Sequence, residues 1–133
     1  MVDYREWLEK SKGFHEEAYE AYKRGRYWLA CFHMQQAVKL FLRGLLVREA
    51  GSYPFTHSLV ELLEALESLK YNVSEEIYAY ADALEKHYIR ARCPGVGLAV
   101  YNERTGKRCL EYGEKIIEYL KEILGREKEE SGE

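Results

Sequence analysis

The segment HYIRARCPGVG, residues 87–97, collects anion-binding side chains immediately before a helix-breaking proline and glycine. Residues 86–108 contain six lysines and arginines and one glutamate, in a chain whose formal net charge is −3. Guanidinium groups bind phosphate oxygens in bidentate fashion, and aromatic rings stack on unpaired bases. We therefore predict an anion-binding edge for RNA or nucleotides. The residues expected to form it are Tyr88, Arg90, Arg92, Arg104, Lys107 and Arg108.

The same residues have a simpler interpretation. Lysine and arginine are favoured in the last turn of a helix because they complement its dipole, and two arginines can also pair with acids of neighbouring helices. The sequence leaves both interpretations open. Within the segment, Arg92 is the first candidate for a phosphate contact, and Tyr88 is the second because it lies one helical turn before Arg92 on the same face.

Other site chemistries lack their patterns. A carboxylate-bridged metal site in a bundle needs Glu-x-x-His, and no histidine here has a glutamate three positions before it. The three cysteines form no Cys-x-x-Cys pair, and the Gly-Val-Gly at 95–97 lacks the strand and further glycine of a phosphate loop. We predict no metal and no cofactor. Three reduced thiols are expected, with Cys31 in the core; a Cys93–Cys109 disulfide is the alternative.

The composition is that of a single globular domain. Of the 133 residues, 47% are hydrophobic and 32% are charged, and only two are prolines. No apolar run approaches the roughly 20 residues that a membrane span needs. The charged N-terminal sequence MVDYREWLEK shows no signal peptide. We expect a cytoplasmic protein with no membrane partner.

Apolar residues recur at spacings of three and four along most of the chain, which is typical of α-helices. With Thr56, Ser74 and Thr105 as N-caps and Gly51 and Gly125 as stops, the pattern predicts helices over 4–24, 27–50, 57–70, 75–92 and 106–124. Short connections between long helices indicate antiparallel neighbours. The predicted fold is therefore all-α, a five-helix up-and-down bundle with a four-helix core plus one short helix. Residues 1–125 are expected to form one domain and 126–133 a disordered charged tail.

The second predicted helix is apolar around most of its circumference, which is typical of a helix at the centre of a bundle. Leu29, Leu40 and Val47 lie outside its main apolar rows. Exposed apolar patches usually mark interfaces, and two-fold dimers are the commonest closed oligomers. We therefore predict a homodimer.

Three stretches of the chain, in order, resemble the HEPN domain (higher eukaryote and prokaryote nucleotide-binding). They are ACFHMQQAVKLFLRGLL (30–46), THSLVELLEAL (56–66) and YIRARCP (88–94). The family patterns are F-x-x-Q-Q-A-x-E-K-x-L-K-A-L-L, T-H-x-L-x-x-L-L and Y-x-x-x-R-Y-P. The matching residues are Phe32, Gln35, Gln36, Ala37, Lys39, Leu42, Leu45, Leu46, Thr56, His57, Leu59, Leu62, Leu63, Tyr88, Arg92 and Pro94. Among them, the two glutamines are expected to be hydrogen-bonded within the protein, and His57 to anchor a turn.

The resemblance implies a stand-alone prokaryotic HEPN protein that works with a small nucleotidyltransferase in a toxin–antitoxin-like module and binds RNA or nucleotide phosphates. Many HEPN proteins are metal-independent ribonucleases that act as dimers, with an arginine followed by a histidine after four to six residues. Arg92 matches that arginine and is the best catalytic candidate, but the last histidine is His87, so cleavage by that mechanism is not expected. The alternatives are a ribonuclease with an atypical base and a purely structural helical interaction module.

Overall fold

A computed structural model describes residues 2–95 and 100–131, with side chains as far as Gly125; residues 96–97 of the Gly-Val-Gly segment lie outside this range. The described residues form helices and no strand, which confirms the predicted all-α bundle. The helices are α1 (Tyr4–Lys23), α2 (Tyr27–Ala50), α3 (Leu59–Glu67), α4 (Glu75–Glu85), the single turn α5 (His87–Arg90) and α6 (Glu103–Ser131).

Several helix boundaries follow directly from the predicted caps. The Asp3 carboxylate accepts a hydrogen bond from the Arg5 backbone N–H at 2.8 Å and begins α1. Ser74 begins α4 in the same way, since its hydroxyl accepts from the Ile77 backbone N–H at 3.2 Å. At the end of α2, Gly51 adopts a φ of 81°, a left-handed conformation that glycine reaches without steric cost.

Two predicted N-termini are wrong because a neighbouring side chain makes the cap. The Thr56 hydroxyl accepts from the backbone N–H of Ser58 at 3.0 Å and holds the turn before α3, so Ser58 is the N-cap and the helix begins at Leu59. Before α6, the Asn102 side chain accepts from the Thr105 backbone N–H at 3.0 Å, and the helix begins at Glu103 instead of after Thr105.

Three predicted C-termini also differ. The helix over 57–70 ends at Glu67, where α3 is followed by a turn in which Lys70 has a φ of 79°. The helix over 75–92 is interrupted at Lys86, and α5 adds one turn before Pro94. Finally, α6 continues through Gly125 to Ser131, because one helical glycine costs only about 1 kcal/mol relative to alanine.

As its apolar circumference predicted, α2 is the central helix and contacts α1, α3, α4, α5 and α6. The consecutive helices α1 and α2 run antiparallel, whereas α2 and α6 run in the same direction. Their contacts advance together, from Cys31 with Cys109 to Met34 with Gly113. At Gly113 the two helices approach so closely that an added Cβ would lie 2.1 Å from the Met34 Cγ.

The parallel pairing of α2 and α6 brings together two cysteines that are 78 residues apart in sequence. Cys31 and Cys109 form a disulfide with a Cα–Cα distance of 5.2 Å, and Cys93 is free and exposed. The predicted reduced thiols and the alternative Cys93–Cys109 pair are therefore wrong, whereas the predicted burial of Cys31 in the core is confirmed. Spacing along the chain could not reveal a pair that depends on which helices pack side by side.

The core surrounds α2 and includes Leu40, which is buried, so this residue does not belong to an exposed apolar patch as predicted. The large apolar side chains that are exposed lie elsewhere. Phe55, before α3, is fully exposed, and Ile89 of α5 is 63% exposed. None of the described helices combines the length and apolar character needed to cross a bilayer.

Candidate anion-binding site

The structure brings the predicted site residues Tyr88 and Arg92 together with Lys39 of α2 and His57 of the loop before α3. We call these four residues, with the Phe32 ring, the Lys39 site. Every member lies in one of the three HEPN-like stretches of the sequence.

Lys39 is the most deeply buried cation of the site, with 2% of its surface exposed. Its ammonium nitrogen lies 3.7 Å from the centre of the Tyr88 ring and 3.1 Å from the His57 Nδ1. The rings of Tyr88 and His57 are stacked, with centroids 4.4 Å apart and planes 13° from parallel. The lysine head group is thus held over the face of Tyr88 and against a ring nitrogen of His57.

Arg92 also packs against Tyr88. Its guanidinium carbon lies 4.4 Å from the Tyr88 ring centre and 5.2 Å from that of Phe32. The Nε–H donates to the Tyr88 backbone carbonyl at 2.7 Å, one turn earlier in the chain. This bond fixes the guanidinium next to the aromatic rings, and its two terminal nitrogens make no hydrogen bond to a side chain or backbone group of the described residues.

Burial, followed by the positive charges of Arg43 and Arg92, lowers the pKa of Lys39 from 10.5 to about 8. Desolvation also lowers the pKa of His57, and the neighbouring cations, Lys39 first, add to that effect. The imidazole is therefore neutral near pH 7, and a substantial part of the lysine population is neutral above pH 8.

Three cations, Lys39, Arg43 and Arg92, lie in or beside the site. None of them forms an ion pair with a carboxylate of the described residues. Arg43 donates from Nη2 to the Thr56 carbonyl at 3.0 Å, and its buried Nε has no hydrogen-bond partner among the described residues. Unpaired positive charge at this density is a feature of sites that bind anions.

A groove of about 640 Å³ adjoins the stacked rings of His57 and Tyr88. Asp82 and Glu85 of α4 contribute acids to its wall. Glu85 is engaged, because its carboxylate accepts from the Ser58 hydroxyl at 2.9 Å and from the Val60 backbone N–H at 3.1 Å. The groove therefore offers the edges of His57 and Tyr88 and the cation Lys86, with acids on the α4 side, while Lys39 and Arg92 lie behind the aromatic pair and do not line it.

The other predicted site residues lie elsewhere. Arg90 and Arg108 line a separate cavity of about 240 Å³ together with Lys86. Lys107 lines a third cavity, whose wall also contains acids of α6, and Arg104 is exposed near the start of that helix. The structure thus assembles Tyr88 and Arg92 with residues from other parts of the chain and distributes the remaining cations over other surfaces.

Sequence reasoning missed Lys39 and gave His57 only a structural role. A signal was present, because Lys39 stands between Val38 and Leu40 in the most apolar helix, where a lysine is costly to bury without a partner. The prediction for Gln35 was also wrong. It is fully buried, and neither its Nε2 nor its Oε1 has a hydrogen-bond partner within the described residues.

A family model described as the HEPN domain matches residues 4–123. The chain belongs to the HEPN family. That match spans all the residues of the Lys39 site, so the site is part of the HEPN domain. Among functionally curated proteins, no sequence matches the chain.

Three solved structures have the same fold. TT1696 from Thermus thermophilus has a TM-score of 0.83 at 29% identity, covering 92% of this chain and 98% of that protein. ST0689, described as an archaeal HEPN homologue, has a TM-score of 0.76 at 28% identity, with the same coverage. A HEPN domain protein (tm0613) from Thermotoga maritima has a TM-score of 0.76 at 27% identity, covering 91% and 98%. This bundle spans each of these three chains almost completely.

Proposed function

We propose that this HEPN protein binds phosphate groups of RNA or nucleotides at the Lys39 site. The observation that supports this most directly is the burial of Lys39 beside Arg92, with no carboxylate paired to either cation among the described residues. Burying an uncompensated positive charge costs stability, and a bound phosphate supplies the missing negative charge.

The aromatic pair favours a nucleotide over a simple anion. Tyr88 and His57 present stacked rings at the groove of about 640 Å³, which is large enough for a base and its ribose. Bases stack on aromatic side chains while arginine and lysine contact the backbone phosphates. This arrangement suits single-stranded RNA or a free nucleotide.

We further propose that the protein is cytoplasmic, forms a homodimer and works with a small nucleotidyltransferase in a toxin–antitoxin-like module. Family membership supports the pairing with a nucleotidyltransferase. The exposed side chains of Phe55 and Ile89 support the dimer, since Phe55 is two residues from His57 and Ile89 adjoins Tyr88. A two-fold contact through these residues would place two Lys39 sites in one cleft.

Binding of a fluorescein-labelled single-stranded RNA, measured by anisotropy, tests the phosphate site. Affinity should fall with rising salt because binding releases counterions. Arg92→Ala should weaken binding by about 10- to 100-fold, which corresponds to roughly 1.5–3 kcal/mol for a charge-assisted contact. The matched control is Arg24→Ala, since Arg24 is exposed at the end of α1. Equal affinity of wild type and Arg92→Ala would exclude Arg92 from the site and favour a structural role for this helix end.

A second function, ribonuclease activity with an atypical base, is favoured by the contact between His57 and Lys39. When Lys39 is neutral, His57 can donate its Nδ1–H to the lysine nitrogen, which leaves Nε2 free to accept a proton. That nitrogen would deprotonate an attacking ribose 2′-hydroxyl, and Arg92 would bind the phosphate. His57 would then replace the histidine that the family places after the arginine.

The cleavage assay separates the two functions. If His57 is the base, the rate should increase with pH toward the Lys39 pKa of about 8. His57→Gln should lower the rate by about 10²- to 10⁴-fold while RNA affinity changes little. Absence of cleavage by wild type, with binding intact, would leave phosphate binding as the function of the site.

A further inference from the structure

A second cluster of reactive side chains, which includes no residue of the Lys39 site, lies where α2, α5 and α6 meet. Cys31, Cys109 and His87 place one potential ligand atom each within 4.8 Å of one another, and all three residues are buried. Their sequence separations resemble no zinc motif, because each residue comes from a different helix.

The ligand types match those of a zinc site. Zinc is bound in proteins by cysteine thiolates and histidine nitrogens in tetrahedral geometry, and sites with three protein ligands keep a fourth position open. The His87 Nδ1 is hydrogen-bonded to the Tyr101 hydroxyl at 2.6 Å, which leaves Nε2 as the ligating nitrogen. A partner on the second ring nitrogen is a usual feature of zinc-bound histidine, because it fixes the ring orientation.

Two further observations indicate that this region accommodates a polar species. Gln35 lies one helical turn after Cys31 on the same face of α2, fully buried, and its amide has no hydrogen-bond partner in the described parts of the chain. His87 and Cys109 also line the cavity of about 240 Å³, which provides a route to the cluster. Three cations, Lys86, Arg90 and Arg108, line the same cavity. These cations would repel a bare zinc ion. The two cysteine thiolates neutralise both charges of the bound ion and so remove that repulsion.

We propose that the reduced protein binds one zinc ion through Cys31, Cys109 and His87, and that the Cys31–Cys109 disulfide is the metal-free alternative of the same site. Reduction of the disulfide by two molecules of a thiol yields two cysteine thiols and one oxidised disulfide of the reductant. Zinc binding then releases two protons as both thiols become thiolate ligands. Oxidation of the thiolates by a disulfide reagent reverses the process and releases the metal.

The test compares the reduced and oxidised forms of the full chain. The protein is reduced with dithiothreitol, exchanged into oxygen-free buffer, incubated with zinc chloride and desalted, and the metal is quantified by atomic emission. Reduced wild type should retain about one zinc per chain, and oxidised wild type, which is folded without free ligand thiols, should retain none. Binding of Co²⁺ in place of zinc should give the visible absorption bands of tetrahedral thiolate coordination.

Variants distinguish this site from adventitious metal on the exposed thiol. Cys93→Ser should keep full zinc binding, whereas Cys109→Ser should lose it, with circular dichroism checking that the variant is folded. Tyr101→Phe, which removes the hydrogen bond to His87, should weaken zinc affinity about 10- to 100-fold. The proposal is overturned if reduced wild type binds no more zinc than the oxidised form, or if Cys93→Ser abolishes binding. Should Cys109→Ser fail to fold, the oxidised wild type remains as the comparison.

Discussion

Replacing Lys39 by methionine should make the protein more stable while removing its capacity to bind anions. Lys39 is 2% exposed, and burial together with Arg43 and Arg92 lowers its pKa to about 8. Methionine keeps an unbranched side chain of similar volume in the same space and carries no charge. The substitution therefore removes mainly the buried positive charge.

The magnitude follows from the change in pKa. The pKa of Lys39 is 10.5 in the unfolded chain and about 8 in the folded protein. Each pKa unit corresponds to about 1.4 kcal/mol, so this change costs about 3 kcal/mol of folding stability at pH 7. The variant also loses the contact between the ammonium group and the Tyr88 ring, worth about 1 kcal/mol. Lys39→Met should therefore raise the free energy of unfolding at pH 7 by about 2 kcal/mol.

The sign of the pH dependence provides a second check. Because the folded-state pKa is depressed, the unfolded chain holds the proton more tightly between pH 8 and 10.5, and wild-type stability contains a contribution that rises with pH across this window. At pH 9.5 the cost of the buried lysine falls to about 1 kcal/mol. The stability advantage of Lys39→Met over wild type should therefore shrink by about 2 kcal/mol between pH 7 and 9.5.

Urea denaturation followed by circular dichroism at the two pH values measures both effects. Lys12→Met is the matched control, because Lys12 is exposed on α1, and its stability should follow that of wild type at both pH values. Added RNA should stabilise wild type but not Lys39→Met. A Lys39→Met protein that is less stable than wild type at pH 7, or whose difference from wild type is the same at pH 9.5, would refute the reasoning.

Three further predictions follow from the packing and the charges. In urea denaturation, Gly113→Ala should destabilise the bundle by about 1–3 kcal/mol because α2 leaves no room for a Cβ. Gly13→Ala should stabilise it by about 0.5–1 kcal/mol, because Gly13 has open space around it on α1. Similar effects at both positions would contradict the close approach of α2 and α6. Light scattering should give the mass of two 15.7-kDa chains for wild type. The double variant Phe55→Ser, Ile89→Ser should give the mass of one chain, because it removes the exposed apolar contact. A wild-type monomer would contradict the dimer. RNA affinity should decrease as pH rises through about 8, since Lys39 loses its charge there, and an affinity constant from pH 7 to 9.5 would argue against a contact between Lys39 and phosphate.

The helices could be read from the sequence because the interactions that define them are local. The three- and four-residue apolar spacing fixes which face of each helix is buried, and caps such as Asp3 and Ser74 act within one turn of their own position. Errors arose where two nearby residues could serve the same purpose. Thr56 and Ser58 are both acceptable caps, and only their mutual hydrogen bond decides between them.

The site itself was only half visible in the sequence. Tyr88 and Arg92 could be paired by reasoning alone because they lie one turn apart in the same segment. Their contacts with Lys39 depend on how α2 packs against α5, and helix packing is set by side-chain volumes along whole helices, which no short motif encodes. The same holds for Cys31 and Cys109, since the parallel arrangement of α2 and α6 alone brings them within bonding distance. Local sequence determined the helices and the HEPN patterns, and tertiary packing decided which charged and sulfur-containing side chains meet.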